Sequence, residues 1–154
     1  LDALVVPLGG GGLAAGTALA MRALAPNCQL YLAEPEGAAD GARSFAKGAL
    51  DHDFVPNTIC DGLRGTLGAI NFDILRAAGA RVLTVDDAQV VSAMRLLWTR
   101  TKQLVEPSSA TALAAVLAQR PLFERRRVGI ILSGGNVDLD ALPALFALAT
   151  EAQS

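Results

Sequence analysis

The chain has 154 residues, of which 52% are hydrophobic and 18% charged, with a net charge of −2. This balance describes one globular domain with a sizeable core and excludes a disordered chain. Its single basic run, Arg125–Arg127, is a solvated loop ahead of a strand, and its apolar runs are too short to span a bilayer, so neither nucleic acid nor membrane is an expected partner.

In chain order, Ala3–Leu8 is a short apolar run rich in Val and Leu and reads as a buried strand. It runs into Gly9, Gly10, Gly11 and Gly12, after which Leu13, Thr17, Met21 and Leu24 recur at helical spacing until Pro26 and Asn27. Gln29–Ala33 is a second strand, and Gly37–Phe45 reads as helical. An irregular segment with Gly48, Pro56 and Asn57 follows. A helix over Asn71–Ala78 stops at Gly79, and Arg81–Val85 is a third strand. Asp86 or Asp87 then caps a long helix whose Val90, Met94, Leu97, Thr101 and Leu104 share one face, with Trp98 in its core-facing region. Pro107 opens a helix over Ser108–Ala118. A fourth strand, Val128–Leu132, runs into Ser133, Gly134, Gly135 and Asn136, and a last helix covers Leu139–Thr150. The fold class expected is α/β: an open, mostly parallel sheet with helices on both faces. In such folds ligands bind beyond the carboxyl ends of the strands, where two of the four strands end in glycine clusters.

Four consecutive glycines between a strand and a helix expose backbone N–H groups with no Cβ in the way, at the positive end of a helix dipole. A phosphate fits there without Lys or Arg. Gly10, Gly12 and Ala15 also match the dinucleotide fingerprint G-x-G-x-x-A, with Glu34 at the end of the next strand where a ribose-binding acid belongs. A nicotinamide-dependent oxidoreductase is therefore a rival. Glu34 and Asp40, with the backbone carbonyl of Ala38, offer oxygen ligands to a hard cation such as Mg2+ or Ca2+, or else form a solvated acidic turn. His52, Cys28 and Cys60 have no partners at ligand spacing, and two cysteines make no disulfide framework. Cysteine usage and the lack of a visible signal peptide point to the cytoplasm.

The runs "VVPLGGGGLAAG", "YLAEPEGAAD", "CDGLRGTLG", "VEPSSATALAAVL" and "GIILSGGNVDL", in that order, resemble the C-terminal portion of fold type II pyridoxal-phosphate enzymes of the threonine/serine dehydratase and serine racemase group. The resemblance implies that Gly9, Gly10, Gly11 and Gly12 grip the cofactor phosphate. It further implies that the backbone at Gly62 approaches the cofactor and that Ser133, followed by Gly134, meets the pyridine nitrogen. A serine there leaves the nitrogen largely neutral, which favours prompt β-elimination or reprotonation at Cα over transamination. Glu106 is either a helix-start acid or, by resemblance, an active-site residue near cofactor and substrate. The E-x-x-x-A-x-D spacing of Glu34, Ala38 and Asp40 resembles the group's metal site.

The group's cofactor-bearing lysine lies in an N-terminal serine-x-lysine segment, together with a small domain. Neither Lys47 nor Lys102 stands in that context. Residues 1–154 are therefore expected to be the C-terminal part of the catalytic domain, inactive alone and homodimeric when complete. The activity implied is removal of the β-hydroxyl from a small β-hydroxy amino acid, serine or threonine, giving a 2-oxo acid and ammonia. Serine racemisation and a non-catalytic remnant are the alternatives beside the oxidoreductase. Gly11→Val is expected to abolish cofactor retention and spare the fold.

Overall fold

A computed structural model describes residues 1–151, with side chains through 148. The four strands β1 (Ala3–Pro7), β2 (Gln29–Pro35), β3 (Arg81–Val85) and β4 (Val128–Ile130) form one sheet in the order β3-β2-β1-β4. All three pairings are parallel, with Val5 opposite both Tyr31 and Ile130. The expected fold class is the observed one.

Alternation along the strands divides the interior into two cores, because successive side chains point to opposite faces. Ala3, Val5, Tyr31, Ala33 and Val85 join α4 (Asp87–Leu96), α5 (Pro107–Ala118), the short α6 (Arg120–Phe123) and α7 (Leu142–Glu151). Val6, Leu30 and Leu32 face α1 (Gly12–Leu24) and α3 (Ala69–Ala77) instead. The remaining helix, α2 (Asp40–Lys47), follows a 3-10 turn over Glu36–Ala38, so the helix read as Gly37–Phe45 is broken at Ala39.

Two sequence-level stripes need correction. In α1 the buried residues are Ala14, Ala15 and Ala18, whereas Leu13 and Leu24 are 50% and 85% exposed. Small residues take the inner face because α1 starts directly from the sheet end and lies close against it. The long helix capped by Asp86 loosens into a π-helical turn over Leu97–Thr101 and ends at Lys102, whose φ is 60°. Val90, Met94 and Leu97 are buried as expected, but Thr101 and Leu104 are exposed. Trp98 does face the core: its Nε1 donates to the Val105 carbonyl at 2.9 Å, and its ring meets Phe146 edge-on at 5.9 Å. The basic run is indeed exposed, and Arg127 pairs with Asp2 at 3.0 Å.

Candidate functional site

Because β1 and β4 are parallel neighbours, the loops that follow them emerge at the same edge of the sheet. Gly11, at φ 87°, is the last residue before α1. The Gly11 carbonyl accepts the Ala15 amide at 2.8 Å, closing the first helical turn. Among the described residues no acceptor meets the amides of Gly9, Gly10, Gly11 or Gly12. Unspent donors at the start of a 13-residue helix, backed by its dipole, make a place for an anion. A Cβ on Gly12 would meet nothing within 4 Å, so this part of the loop faces open space. A Cβ on Gly9 would lie 3.2 Å from the Gly62 carbonyl, which brings the loop after residue 60 against the glycine loop.

The start of α5 forms the opposite wall. Glu106 occupies the N-cap position but makes no side-chain bond to its own helix. Its Oε2 instead accepts the Asn136 amide at 2.9 Å, and its own amide donates to the Gly134 carbonyl at 3.2 Å. Glu106 does stand at the helix start, where the dipole favours its charge, but its carboxylate bonds none of the amides of α5. It holds the loop after β4. A Cβ on Gly134 would sit 2.9 Å from Glu106 Oε1, so a side chain there would push that carboxylate from its place beside the Asn136 amide. Ser108 Oγ accepts the Gly62 amide and Ser109 Oγ accepts the Ser133 amide, each at 3.0 Å. Gly9, Gly62, Glu106 and Gly134 thus form one chain of contacts, and Ser133 joins it through Ser109. Sequence reasoning passed over Ser108 and Ser109, whose one signal is a pair of hydroxyls at the head of an otherwise apolar helix.

The acidic cluster lies after β2. Glu34 is 0% exposed, with Oε1 accepting the Gly41 amide at 3.0 Å and Oε2 the Ala42 amide at 2.8 Å. A strand residue therefore satisfies the first amides of α2. Gly41 permits the approach, since a Cβ there would come 2.8 Å from Glu34 Oε1 and 2.5 Å from Leu8 Cδ2. Asp40 Oδ2 accepts the Leu67 amide at 2.8 Å, while its Oδ1 is buried with no partner in the protein. Burial pushes the Glu34 carboxyl up to about 7 against the opposing pull of the Ala42 and Gly41 amides, and the Asp40 charge adds to the rise. Burial raises Asp40 as well.

A solvated acidic turn would leave these groups wet, and they are dry. Spent on α2 and shielded from solvent, Glu34 is not placed to bind a ribose, which removes the second half of the dinucleotide fingerprint. The orphaned Asp40 oxygen fits a cation, and the Ala38 carbonyl accepts no hydrogen bond among the described residues. Among the described residues no three His, Cys, Asp or Glu side chains gather at one point, so any cation here would take two carboxylates and backbone oxygen.

The remaining candidates stand apart. His52 is exposed, Cys28 is half-buried, and burial pushes the Cys60 thiol up to about 11. Lys47 pairs with Asp51 at 3.8 Å, and Lys102 donates to the Thr99 carbonyl at 2.7 Å.

The family model described as pyridoxal-phosphate dependent enzyme matches residues 1–134. The chain belongs to the pyridoxal-phosphate dependent enzyme family. An L-threo-3-hydroxyaspartate ammonia-lyase from Pseudomonas sp is 48% identical over 146 residues, covering 94% of this chain and 46% of that protein. A serine racemase from Dictyostelium discoideum is 44% identical over 146 residues, covering 92% and 45%. The structure of maize serine racemase superposes with a TM-score of 0.87 at 42% identity, covering 94% of this chain and 47% of that one. The chain spans about half the length of the curated relatives it matches. Within the pyridoxal-phosphate dependent enzymes, the relatives it resembles include ammonia-lyases and racemases.

Proposed function

We propose that the chain is the C-terminal part of an ammonia-lyase that removes the β-hydroxyl from a small β-hydroxy amino acid. The observation that carries this reading is the open row of unspent amides from Gly9 to Gly12, walled by the loops that α5 holds in place. When bound, pyridoxal phosphate supplies an electron sink for the pair left at Cα. The amides of Gly9, Gly10, Gly11 and Gly12 bind its phosphate as charge-assisted donors. Gly62 and Gly134 keep both loops thin enough for a flat ring to lie between them. Ser133 offers a neutral hydroxyl to the ring nitrogen, and Glu106 fixes the Gly134–Asn136 loop. A cation at Glu34, Asp40 and Ala38 has a structural role, bracing the start of α2 and the loop at Leu67.

The cofactor-bearing lysine, the small domain and a homodimer partner are assigned to the complete enzyme. In support, both lysines of this chain are engaged away from the glycine loop. Residues 1–154 mixed with pyridoxal phosphate and reduced with borohydride are expected to carry no cofactor on Lys47 or Lys102, read by peptide mass mapping. Substantial labelling of either, with 2-oxo acid formed, would reverse the assignment.

The similarity to a hydroxyaspartate ammonia-lyase adds 3-hydroxyaspartate to serine and threonine as substrates to assay. Serine racemisation is the second reading, favoured by 44% identity to a serine racemase, and chiral analysis of unreacted serine separates the two. Ser133→Asp in the complete enzyme is expected to lower dehydration turnover roughly a hundredfold, the scale of a misplaced proton, with the cofactor still bound. Wild-type turnover and absorption spectrum in that variant would show that Ser133 does not face the ring.

A further inference from the structure

A loop of four glycines has little conformational preference of its own, since each samples both signs of φ at almost equal cost. A peptide between two such residues can turn over, and a turned peptide presents a carbonyl oxygen where an anion needs an N–H. The loop alone therefore does not define an anion site, and something outside it must fix the peptide planes. At Gly10–Gly11 that fixing is visible. The Gly10 carbonyl accepts the Asn71 Nδ2 amide at 2.7 Å and the Gly68 backbone amide at 3.2 Å. In a planar trans peptide the C=O and N–H point in opposite directions, so a Gly10 carbonyl held toward α3 turns the Gly11 N–H away from it.

We propose that Asn71 is a positioning residue that locks the Gly10–Gly11 peptide with its amide facing the phosphate of the cofactor, an inference that rests on the function proposed above. Asn71 sits in the first turn of α3, where an Asn side chain ordinarily bonds nearby backbone. It reaches instead across 61 positions of sequence to the glycine loop. The same side chain explains Gly11, whose Cβ would come 2.9 Å from Asn71 Cβ. Asn71 is half-buried and belongs to neither hydrophobic core, so its loss leaves the packing of α3 in place. The Gly68 amide then holds the carbonyl alone, through the longer bond.

The test uses the complete enzyme with Asn71→Ala and the equal-sized Asn71→Asp, which lacks the amide donor. Affinities for pyridoxal phosphate and for pyridoxal, which has no phosphate, are measured by absorbance titration, with inorganic phosphate as competitor. Asn71→Ala is expected to weaken pyridoxal phosphate roughly five- to tenfold and leave pyridoxal unchanged. Asn71→Asp is expected to weaken it further, since its carboxylate oxygen repels the Gly10 carbonyl oxygen that the Asn71 amide held. An unchanged ratio of the two affinities, whether both hold or both fall together, overturns the inference. A wild type that binds pyridoxal as well as pyridoxal phosphate overturns the proposed phosphate site itself, and this inference with it, before any substitution is made.

Discussion

Gly12→Val in the complete enzyme is expected to weaken pyridoxal phosphate binding by at least about a hundredfold while the thermal unfolding midpoint stays near that of the wild type. The protein offers no obstacle to a side chain at this position: nothing lies within 4 Å of a Cβ on Gly12, and its backbone is not in the left-handed region. What the side chain enters is the space that the proposed function assigns to the phosphate. Displacing an anion from two charge-assisted amide bonds forfeits about 3 kcal/mol or more, which is a factor of a hundred or greater in affinity. Fluorescence titration with the cofactor, beside a thermal melt of the same sample, checks both halves. Retained affinity would place the phosphate elsewhere and remove the central argument for the site.

Gly11 behaves differently, which corrects the expectation that Gly11→Val spares the fold. At φ 87° an L side chain is strained, and its Cβ would meet Leu67 Cδ1 at 2.6 Å and Asn71 Cβ at 2.9 Å. Leu67 is fully buried and cannot swing clear. Strain and overpacking together are expected to destabilise the protein by about 3 kcal/mol. Loss of cofactor in that variant would therefore report folding as much as binding. The two glycines are adjacent and identical as letters, and their difference lies in what α3 places beside them.

That contrast marks how far the sequence was legible. Strand positions came through because each is a short apolar run closed by a breaker, and the parallel order follows from helices between them. The convergence of Gly9–Gly12 with Gly134 followed from strand direction alone. The inner face of α1 did not come through, because a helix leaving a glycine loop packs by its alanines, and periodicity weighted toward large residues points the wrong way. Glu106 was undecided for a related reason. Its position at a helix start is local, whereas its bond to the Asn136 amide spans 30 residues. Ser108, Ser109 and Asn71 matter through such long-range partners, and beyond the pair of hydroxyls at the head of α5 nothing local marks them.

The acidic cluster yields the other large expected effect. Without a cation the folded protein holds Glu34 at about 7, above the ordinary glutamate value of 4.5. The folded state therefore binds the proton more tightly than the unfolded chain. Stability from this group is fully present below pH 4.5 and is lost as pH rises through 7, by about 3 kcal/mol in all. A divalent cation ligates only the carboxylate, so it competes with the proton and its stabilising effect grows over the same interval. Mg2+ or Ca2+ is expected to leave the melting midpoint nearly unchanged at pH 5 and to raise it at pH 8, where a hundredfold excess over its dissociation constant stabilises the fold by about 3 kcal/mol. A chelator should reverse the gain. Glu34→Gln should flatten both the pH dependence and the cation response, because the neutral amide neither titrates nor ligates strongly. Its NH2 group, facing the Gly41 or Ala42 amide, lowers the midpoint at every pH. Asp40→Asn should erase the cation response while keeping the Glu34 titration, since the unpartnered Oδ1 belongs to Asp40 and the buried proton site to Glu34. Differential scanning fluorimetry across pH 5 to 8, with cation and with chelator, reads all of these arms. A wild-type midpoint at pH 8 that neither cation moves would leave Glu34 as a buried acid that caps α2 and nothing more.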